Sequence, residues 1–217
     1  MEISVMLEIL LSGFVFTAQI FVTTLLGALP LGIVVAVLRM SKIALVSGIT
    51  RVYISILRGT PLMLQLMAFM FAPYYLFNLQ MGSEWKYWAC SLGFILNYSA
   101  YFGEIYRSGI QSIPKSQYEA AQVLGFSSTQ TFFKIILPQV VKRILPAMGN
   151  EIIVLLKDTS LAFVLGIMEM FSQAKAIAAS QVSMLPYVIA AAIYWIANFV
   201  VEIIITRIEK MLAYYHD

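Results

Sequence analysis

The chain has 217 residues, of which 61% are apolar and only 12% are charged. Soluble domains carry about 25% charged residues, so this composition excludes a water-exposed globule and indicates an integral membrane protein. A single cysteine, Cys90, excludes a disulfide framework, and a net charge of +3 that is spread along the chain gives no footprint for nucleic acid. We also expect no metal centre, because the one histidine, His216, stands next to the last residue.

Apolar runs along the chain predict membrane-spanning helices, each of which needs roughly 20 mostly apolar residues. The first run follows Glu8 and contains no charged residue as far as Leu38. It is too long for a cleaved signal peptide, whose apolar core has about 7 to 15 residues. We therefore predict an all-α polytopic membrane protein, a single transmembrane domain over 1–217 with five spans at about 9–38, 52–77, 87–105, 145–166 and 186–205.

The basic residues set the predicted orientation, because cytoplasmic segments carry an excess of Lys and Arg. With the N-terminus outside, ten bases fall on the inner side and two, Lys86 and Lys175, on the outer side. The C-terminus is then cytoplasmic, and residues 106–144 form a cytoplasmic loop. The two halves of the chain do not resemble each other, which disfavours a secondary transporter built from inverted repeats.

The second predicted span contains a helix break, and the third contains polar side chains. Arg58-Gly59-Thr60-Pro61 places irregular backbone at membrane depth, where it is tolerated only against protein or water. Leu62 and Gln65 follow on the next turn and are placed to close a cavity, although a kink for packing is the alternative. In the third span, Asn97 offers hydrogen bonds to a ligand or to another helix. At its inner end, Glu104 and Arg107 are spaced as an i,i+3 ion pair.

The cytoplasmic loop contains two predicted short helices. Ser116-Gln117-Tyr118-Glu119 is a capping box that starts the first helix, and Gly125 ends it in the left-handed conformation. Ser127-Ser128-Thr129-Gln130 is a second box, whose helix should stop before Pro138. Small and apolar side chains on these helices either provide a docking surface or pack beneath the protein's own spans.

Ionisable residues in the fourth predicted span are candidates for a binding site, because a charge at mid-bilayer costs at least about 2.5 kcal/mol. Glu151 and Asp158 are seven residues apart, which places them within about 20° on one helix face and roughly 10 Å apart along the axis. Two carboxylates on one face can line a cavity and bind a cationic group. The alternative is a salt bridge with Lys157, which lies about 100° round the helix and would fix packing.

Several sequence blocks resemble one family of membrane proteins. Glu119-Ala120-Ala121, followed by Gly125 and then by Leu137-Pro138, is similar to the EAA loop of the permease subunits of binding-protein-dependent ABC transporters. Ser116 departs from the pattern, since relatives commonly have Gly there, but Ser is a good helix cap. Further blocks resemble the polar amino acid branch of this family: Arg58-Gly59-Thr60-Pro61-Leu62, 104–114, 145–151 and 155–161.

The resemblance implies the type I ABC importer permease fold and the transport of a polar or charged amino acid across the bacterial cytoplasmic (inner) membrane. It implies a substrate-lined cavity and a loop coupled to ATP hydrolysis in partner chains. The expected substrate-binding residues are Glu151, Asp158, Asn97, Leu62 and Gln65, and the expected coupling residues are Glu119, Ala120, Ala121, Leu124 and Gly125.

The expected partners are two ABC ATPase subunits, which bind ATP and Mg, a second copy of the permease or a homologous permease, and a periplasmic or lipid-anchored amino acid binding protein. The chain has no phosphate-binding loop of the form G-x-x-x-x-G-K-[ST], so we predict a transporter subunit without cofactor or enzymatic activity of its own. A passive channel, in which the carboxylates form a selectivity ring, is the alternative, as is a purely structural subunit. A basic amino acid, cystine, glutamine or a broad polar set all remain open as substrates, as do a homodimer and a heterodimer.

Overall fold

The computed structural model describes residues 2–212, which form helices joined by short connections, without a β-strand. The prediction of an all-α chain is confirmed for this part of the molecule, and His216 lies outside it. The helices are α1 (Ile3–Arg39), α2 (Ala44–Gly59), α3 (Leu62–Phe77), α4 (Trp85–Gln111), α5 (Lys115–Val123), α6 (Ser128–Gln130), α7 (Leu137–Asp158), α8 (Met170–Gln181) and α9 (Leu185–Leu212), with a π-helical segment at Thr131–Ile136 and a 3-10 helix at Thr159–Leu165.

Two helices, α1 and α9, are long and apolar enough to cross a membrane by themselves. The pair α2 and α3 adds a third candidate span if the bent pair is taken as one. The helices α4 and α7 have 27 and 22 residues but are less apolar, because they carry polar and ionisable side chains such as Asn97, Glu151 and Asp158. Length and composition therefore identify two or three spans, and the count of five stays a prediction.

The helices α1 and α4 pack side by side at the centre of the molecule. A Cβ atom at Gly103 of α4 would lie 2.6 Å from Val35 Cγ1, and a Cβ atom at Gly32 of α1 would lie 2.9 Å from Phe102 Cβ. Glycine is needed on both helices, because only small residues allow two backbones to approach this closely. The main buried cluster next to this contact contains Ile20, Ala28, Phe94, Tyr98, Phe102 and Leu155.

The segment predicted as the second span consists of two helices inclined at 111° to each other. It begins at Ala44, earlier than the predicted start near residue 52. The helix break predicted at this point is present, because the ring of Pro61 disfavours the helical conformation in the residue before it, and Thr60 is extended, with φ −121° and ψ 150°. Pro61 itself precedes the first residue of α3.

The loop between α4 and α7 differs from its prediction at two points. The capping box expected at Ser116 is wrong: α5 begins one residue earlier, after Pro114, and has no side-chain cap. The second box is confirmed, with the Gln130 amide donating to Ser127 Oγ at 3.3 Å and the Ser127 amide donating to Gln130 Oε1 at 3.0 Å.

The helix that follows the second box does not stop before Pro138, as was predicted. It continues through the π-helical segment at Thr131–Ile136 into α7. Pro138 is the second residue of α7 and directly follows the π-helical segment and Leu137. The wider π-helical turn just before it locally changes the hydrogen-bond pattern and so allows the chain to continue.

The helix α8 has no counterpart among the sequence predictions. Its N-terminus is capped by Glu169, which is fully buried and accepts hydrogen bonds from the Phe171 and Ser172 amides, both at 2.7 Å. The Tyr194 hydroxyl donates a third hydrogen bond at 3.3 Å. Glutamate is an uncommon cap, which is why the start of α8 was missed. The helix packs in a second buried cluster with residues of α1 and α9, including Met6, Leu10, Met170, Ala174, Ile177 and Ala190.

Candidate functional site

Glu151 and Asp158 line one cavity of about 280 Å³, as their shared face of α7 predicts. Both side chains are partly buried. The break between α2 and α3 forms the opposite wall, so that Leu62 and Asn97, which were also predicted, lie in the same cavity. The complete lining is Thr60, Pro61, Leu62, Asn97, Tyr98, Tyr101, Glu151, Val154, Asp158 and Leu161.

An aromatic wall, which the sequence analysis missed, holds one of the two carboxylates. The Tyr98 hydroxyl donates a hydrogen bond to Asp158 Oδ2 at 2.8 Å, and Tyr98 is only 2% exposed. Its ring is fixed between Phe94, at 6.5 Å between centroids, and Tyr101, at 6.0 Å. The spacing of Tyr98 and Tyr101 on α4 was the available signal, but aromatic residues are common in any span. The cavity thus presents Asp158 in a fixed position.

A cation lies beside the two carboxylates. The Arg58 guanidinium is stacked over the Tyr101 ring, with its central carbon 5.0 Å from the centroid, in a cation–π contact. Its charge also acts on Glu151. In the sequence, Arg58 was considered only as part of the helix break. The structure instead places it next to the cavity, so that the local charge there is the sum of two carboxylates and one arginine.

Gln65 and Asn97 hold the helix break. Gln65 Nε2 donates to the Leu57 carbonyl at 2.9 Å and to the Thr60 carbonyl at 3.1 Å, both of which the break leaves without a helical partner. Asn97 Nδ2 donates to the same Leu57 carbonyl and to Gln65 Oε1, both at 2.9 Å. Gln65 is 7% exposed and lies behind the cavity wall rather than in it. Both side-chain amides are therefore engaged with the protein itself.

Lys157 points away from the carboxylates on its own helix. It lines a different cavity, which lies between α7 and α9. Within residues 2–212, the ion pairs within 4.0 Å join Arg39 and Arg107 to Glu104, so the alternative of a Lys157 salt bridge to Glu151 or Asp158 is not realised at that distance.

The ion pair predicted between Glu104 and Arg107, near the C-terminal end of α4, is confirmed. Arg107 donates to both carboxylate oxygens of Glu104, with the shortest contact at 2.6 Å from Nη2 to Oε2. Arg39, at the end of α1, approaches the same carboxylate at 4.0 Å. The second arginine was not predicted, because a contact between distant helices leaves no local spacing in the sequence. The Glu104 carboxylate thus links α1 to α4.

The loop helix α5 ends as predicted at Gly125, which has a φ of +79°. The Phe126 amide donates to the Ala121 carbonyl and the Gly125 amide to the Gln122 carbonyl, both at 3.0 Å, which is a complete Schellman motif. A side chain at Gly125 would have open space around it, so the backbone conformation alone requires glycine.

The two sides of α5 have different environments. Ala121 is 1% exposed, and Tyr118 of the same helix packs against a buried cluster around Ile136 and Val140. Glu119 and Ala120 are exposed, and the large apolar side chains of Val123, Leu124 and Phe133 are exposed by 87%, 74% and 61%. Of the five predicted coupling residues, four are therefore accessible, and Ala121 packs against the protein's own helices.

No group of three or more metal-ligating side chains lies within reach of one ion in the described residues. The single cysteine, Cys90, is buried in the main cluster. Two carboxylates in one cavity provide the chemistry to bind a small cationic or zwitterionic solute.

Comparisons with known proteins agree along almost the whole chain. A family model described as "Binding-protein-dependent transport system inner membrane component" matches residues 28–214. The L-cystine transport system permease protein TcyB of Bacillus subtilis (strain 168) is 35% identical over 209 residues, which cover 95% of this chain and 88% of that protein. The arginine transport system permease protein ArtQ of the same organism is 34% identical, with 94% and 92% covered.

A solved structure of similar shape was found as well. It is described as an amino acid ABC transporter with histidines, and the matching chain is 30% identical. The TM-score is 0.85, with 97% of this chain and 99% of that chain covered. Sequence and fold therefore indicate the same group of membrane proteins.

Proposed function

The chain belongs to the family of binding-protein-dependent transport system inner membrane components, in its amino acid ABC transporter permease group, and on that premise we propose that it moves a polar or charged amino acid into the cytoplasm. The chain is a permease subunit and not an enzyme, since the relatives are permeases. The observation that carries the proposal is the cavity in which Glu151, Asp158 and Asn97 meet.

The chemistry of the cavity supports an amino acid as the transported solute. A carboxylate at membrane depth is a strong partner for the α-ammonium group or a cationic side chain, because few waters compete there. A volume of about 280 Å³ is at the small end of ligand pockets, which suits a single small solute. The relatives are named for cystine and arginine, among others, so the identity of the amino acid is left to experiment.

Five spans provide the topology of the proposed transporter. They correspond to α1, the bent pair α2 and α3, α4, α7 and α9, with the N-terminus outside and the C-terminus in the cytoplasm. The excess of basic residues on the inner side supports this orientation. Under the proposal, α5 and α6 lie on the cytoplasmic side and the protein is a multi-pass protein of the bacterial inner membrane.

Partner chains supply the energy and deliver the solute. Two ABC ATPase subunits bind ATP with Mg and dock on the loop around Glu119 and Gly125, whose exposed apolar side chains need a cover. A second permease, identical or homologous, completes the membrane part, and a binding protein delivers the amino acid. ATP binding shifts the permease pair from inward-open to outward-open, and the solute changes that equilibrium only by its difference in affinity for the two forms.

Uptake into proteoliposomes that contain the permease with its ATPase and binding protein tests this proposal. We expect ATP-dependent uptake from a panel of labelled arginine, cystine, glutamine and other polar amino acids. Glu151→Gln and Asp158→Asn should each reduce uptake, whereas Glu84→Gln, on the exposed connection before α4, should not. Uptake that persists without the ATPase would contradict the importer and favour a channel.

A further inference from the structure

A further cavity, of about 790 Å³, lies where the loop helices meet the start of α7. Three basic side chains line it, Lys134 of the π-helical segment and Lys142 and Arg143 of α7. None of the described residues in its lining is acidic. Charges of one sign around a cleft raise the local concentration of the opposite charge, so this cavity attracts an anion.

One face of α7 forms a wall of the basic cavity. Gln139, Lys142, Arg143 and Pro146 follow one another at intervals of three, one and three residues, which places them on the same side of the helix. The other sides are formed by α5 and by the last described turn of α9. The cations therefore stand on neighbouring turns around one space, enclosed by three helices.

Two of these cations have no carboxylate close by. The ion pairs within 4.0 Å in residues 2–212 join Arg39 and Arg107 to Glu104, so Lys134 and Arg143 take no part in one. Arg143 donates from Nη1 to the carbonyl oxygen of the residue after α4, Ser112, at 2.7 Å, and to its hydroxyl at 3.2 Å. The guanidinium is thus held at the cavity by neutral acceptors, and its charge is available to an anion.

The basic cavity lies at the boundary of a predicted span. Lys142 and Arg143 stand three and two residues before position 145, where the fourth predicted span begins. In the proposed orientation this is the cytoplasmic boundary of the membrane, the level of the phosphate groups of the inner leaflet. Val141, Pro146 and Leu212 line the same cavity, so apolar surface lies beside the cations.

We propose that this cavity binds the headgroup of an anionic phospholipid of the inner leaflet, such as phosphatidylglycerol, with Lys134, Lys142 and Arg143 around its phosphate. Basic pockets between membrane helices on the cytoplasmic side suit such headgroups, because phosphate oxygens accept charge-assisted hydrogen bonds from Lys and Arg. A lipid matches both the cations and the apolar lining, whereas a free phosphate matches the cations alone. A zwitterionic headgroup adds an ammonium group, which the three cations repel.

The lipid site is separate from the expected coupling residues. Glu119, Ala120, Ala121, Leu124 and Gly125 do not line the cavity, so an ATPase docked on them does not need this space. An acidic segment of a partner protein is the rival occupant, and it would exclude lipid from the assembled complex. Lipid binding relies on the orientation given under the proposed function but not on the transported solute, so lipid binding and uptake can fail independently.

Lipid retention by the assembled transporter tests the site. The permease with its ATPase is placed in nanodiscs of equal parts phosphatidylglycerol and phosphatidylcholine, extracted with detergent and analysed for bound lipid by native mass spectrometry. We expect phosphatidylglycerol to be retained and phosphatidylcholine to be lost. Lys134→Gln should weaken the retention about fivefold, and addition of Arg143→Gln should weaken it further. The matched control, Lys42→Gln with Arg51→Gln, removes two exposed charges elsewhere and should behave as the wild type.

Variants at Lys134 decide the outcome, because this side chain is exposed and its replacement leaves the fold intact, whereas Arg143 also contacts Ser112. Lys134→Arg should keep the lipid, and Lys134→Glu should lose more of it than Lys134→Gln. Equal retention of both lipids, no retention in the complex, or an equal loss in the control variant overturns the site. Displacement of the lipid by an excess of inorganic phosphate would identify a free anion as the ligand and would also contradict the lipid.

Discussion

The cavity beside α7 and the loop helix α5 each place side chains in an unusual environment, charged side chains in the first and apolar side chains in the second. The cavity places two carboxylates, Glu151 and Asp158, within a predicted span, where charges are costly. The loop exposes Val123 and Leu124 on the predicted cytoplasmic side, where large apolar side chains are usually covered. In both regions, hydrogen bonds and packing of the surrounding residues hold these side chains in place. Under the proposed function, each region binds another molecule, a solute in the first and a protein in the second.

The cavity and the loop also differ in how they are fixed. The cavity is held by contacts between distant segments, such as the Tyr98 hydroxyl on Asp158 and the Gln65 amide on the α2 end. The loop is held by local geometry, mainly the left-handed Gly125 and the Ser127 cap. Substitutions can therefore separate the two regions, because those in the loop should change coupling and those in the cavity should change solute affinity.

The largest effect is expected from Gly125→Ile. A side chain in the left-handed conformation costs about 1–2 kcal/mol, more for a β-branched residue, and the α5 end should rearrange. Uptake should then fall to the level measured without ATP, because a displaced α5 no longer transmits the ATPase cycle, while ATP hydrolysis continues in the assembled complex. Gly82→Ile, in open space and without positive φ, is the matched control. Unchanged coupling of hydrolysis to uptake in Gly125→Ile would refute the coupling role.

The next effect is expected from Tyr98→Phe. The change removes the hydrogen bond to Asp158 Oδ2, and hydrogen bonds to charged groups contribute about 1.5–3 kcal/mol. We expect the KM for uptake to change about tenfold or more while ATP hydrolysis stays coupled. Tyr87→Phe, whose side chain is exposed on the first turn of α4, should leave the KM as it is. If the role of Tyr98 is purely structural, Tyr98→Phe will instead reduce the stability of the protein and leave the KM unchanged.

Much of this arrangement follows from the sequence, because it depends on local rules. The shared face of Glu151 and Asp158 follows from helix periodicity, and the break before Pro61 and the left-handed Gly125 follow from the backbone limits of proline and glycine. Each of these rules involves residues a few positions apart.

The failed predictions depend on contacts between distant segments or on unusual hydrogen-bond patterns. The Tyr98 contact to Asp158 joins residues 60 positions apart, which no local pattern announces. Pro138 stands inside a helix because a π-helical segment precedes it, and α8 is capped by a buried glutamate rather than by one of the common cap residues. The helix α5 begins directly after Pro114 and not at a Ser116 cap, which shows that two neighbouring helix-start signals can compete.

A smaller effect is expected from Gln65→Leu, which tests whether the break is held by this side chain. The change leaves the Leu57 and Thr60 carbonyls with fewer partners, and a buried unsatisfied group costs about 1–3 kcal/mol. Thermal unfolding in detergent should show that loss of stability. Gln80→Leu, on the exposed segment after α3, is the control. Equal stability of both variants would mean that Gln65 does not support the break.

The smallest effect is expected from Ser127→Ala. The loss of the confirmed capping box costs about 1 kcal/mol and should loosen only the start of the helix that leads into α7. Hydrogen exchange measures this effect, and we expect faster exchange at the amides of residues 127–131 without a change at α1 or α4. Exchange that rises throughout the chain would show that the loop is not an independent unit.

The most direct test of the central claim is a structure of the complete transporter with its amino acid, trapped with ATP bound. We predict density for the solute in the cavity between the α2/α3 break and α7, with its cationic group within hydrogen-bonding distance of Glu151 or Asp158. The same density should be absent from the Asp158→Asn complex under identical conditions. A solute bound elsewhere in the membrane part, with this cavity empty, would contradict the account.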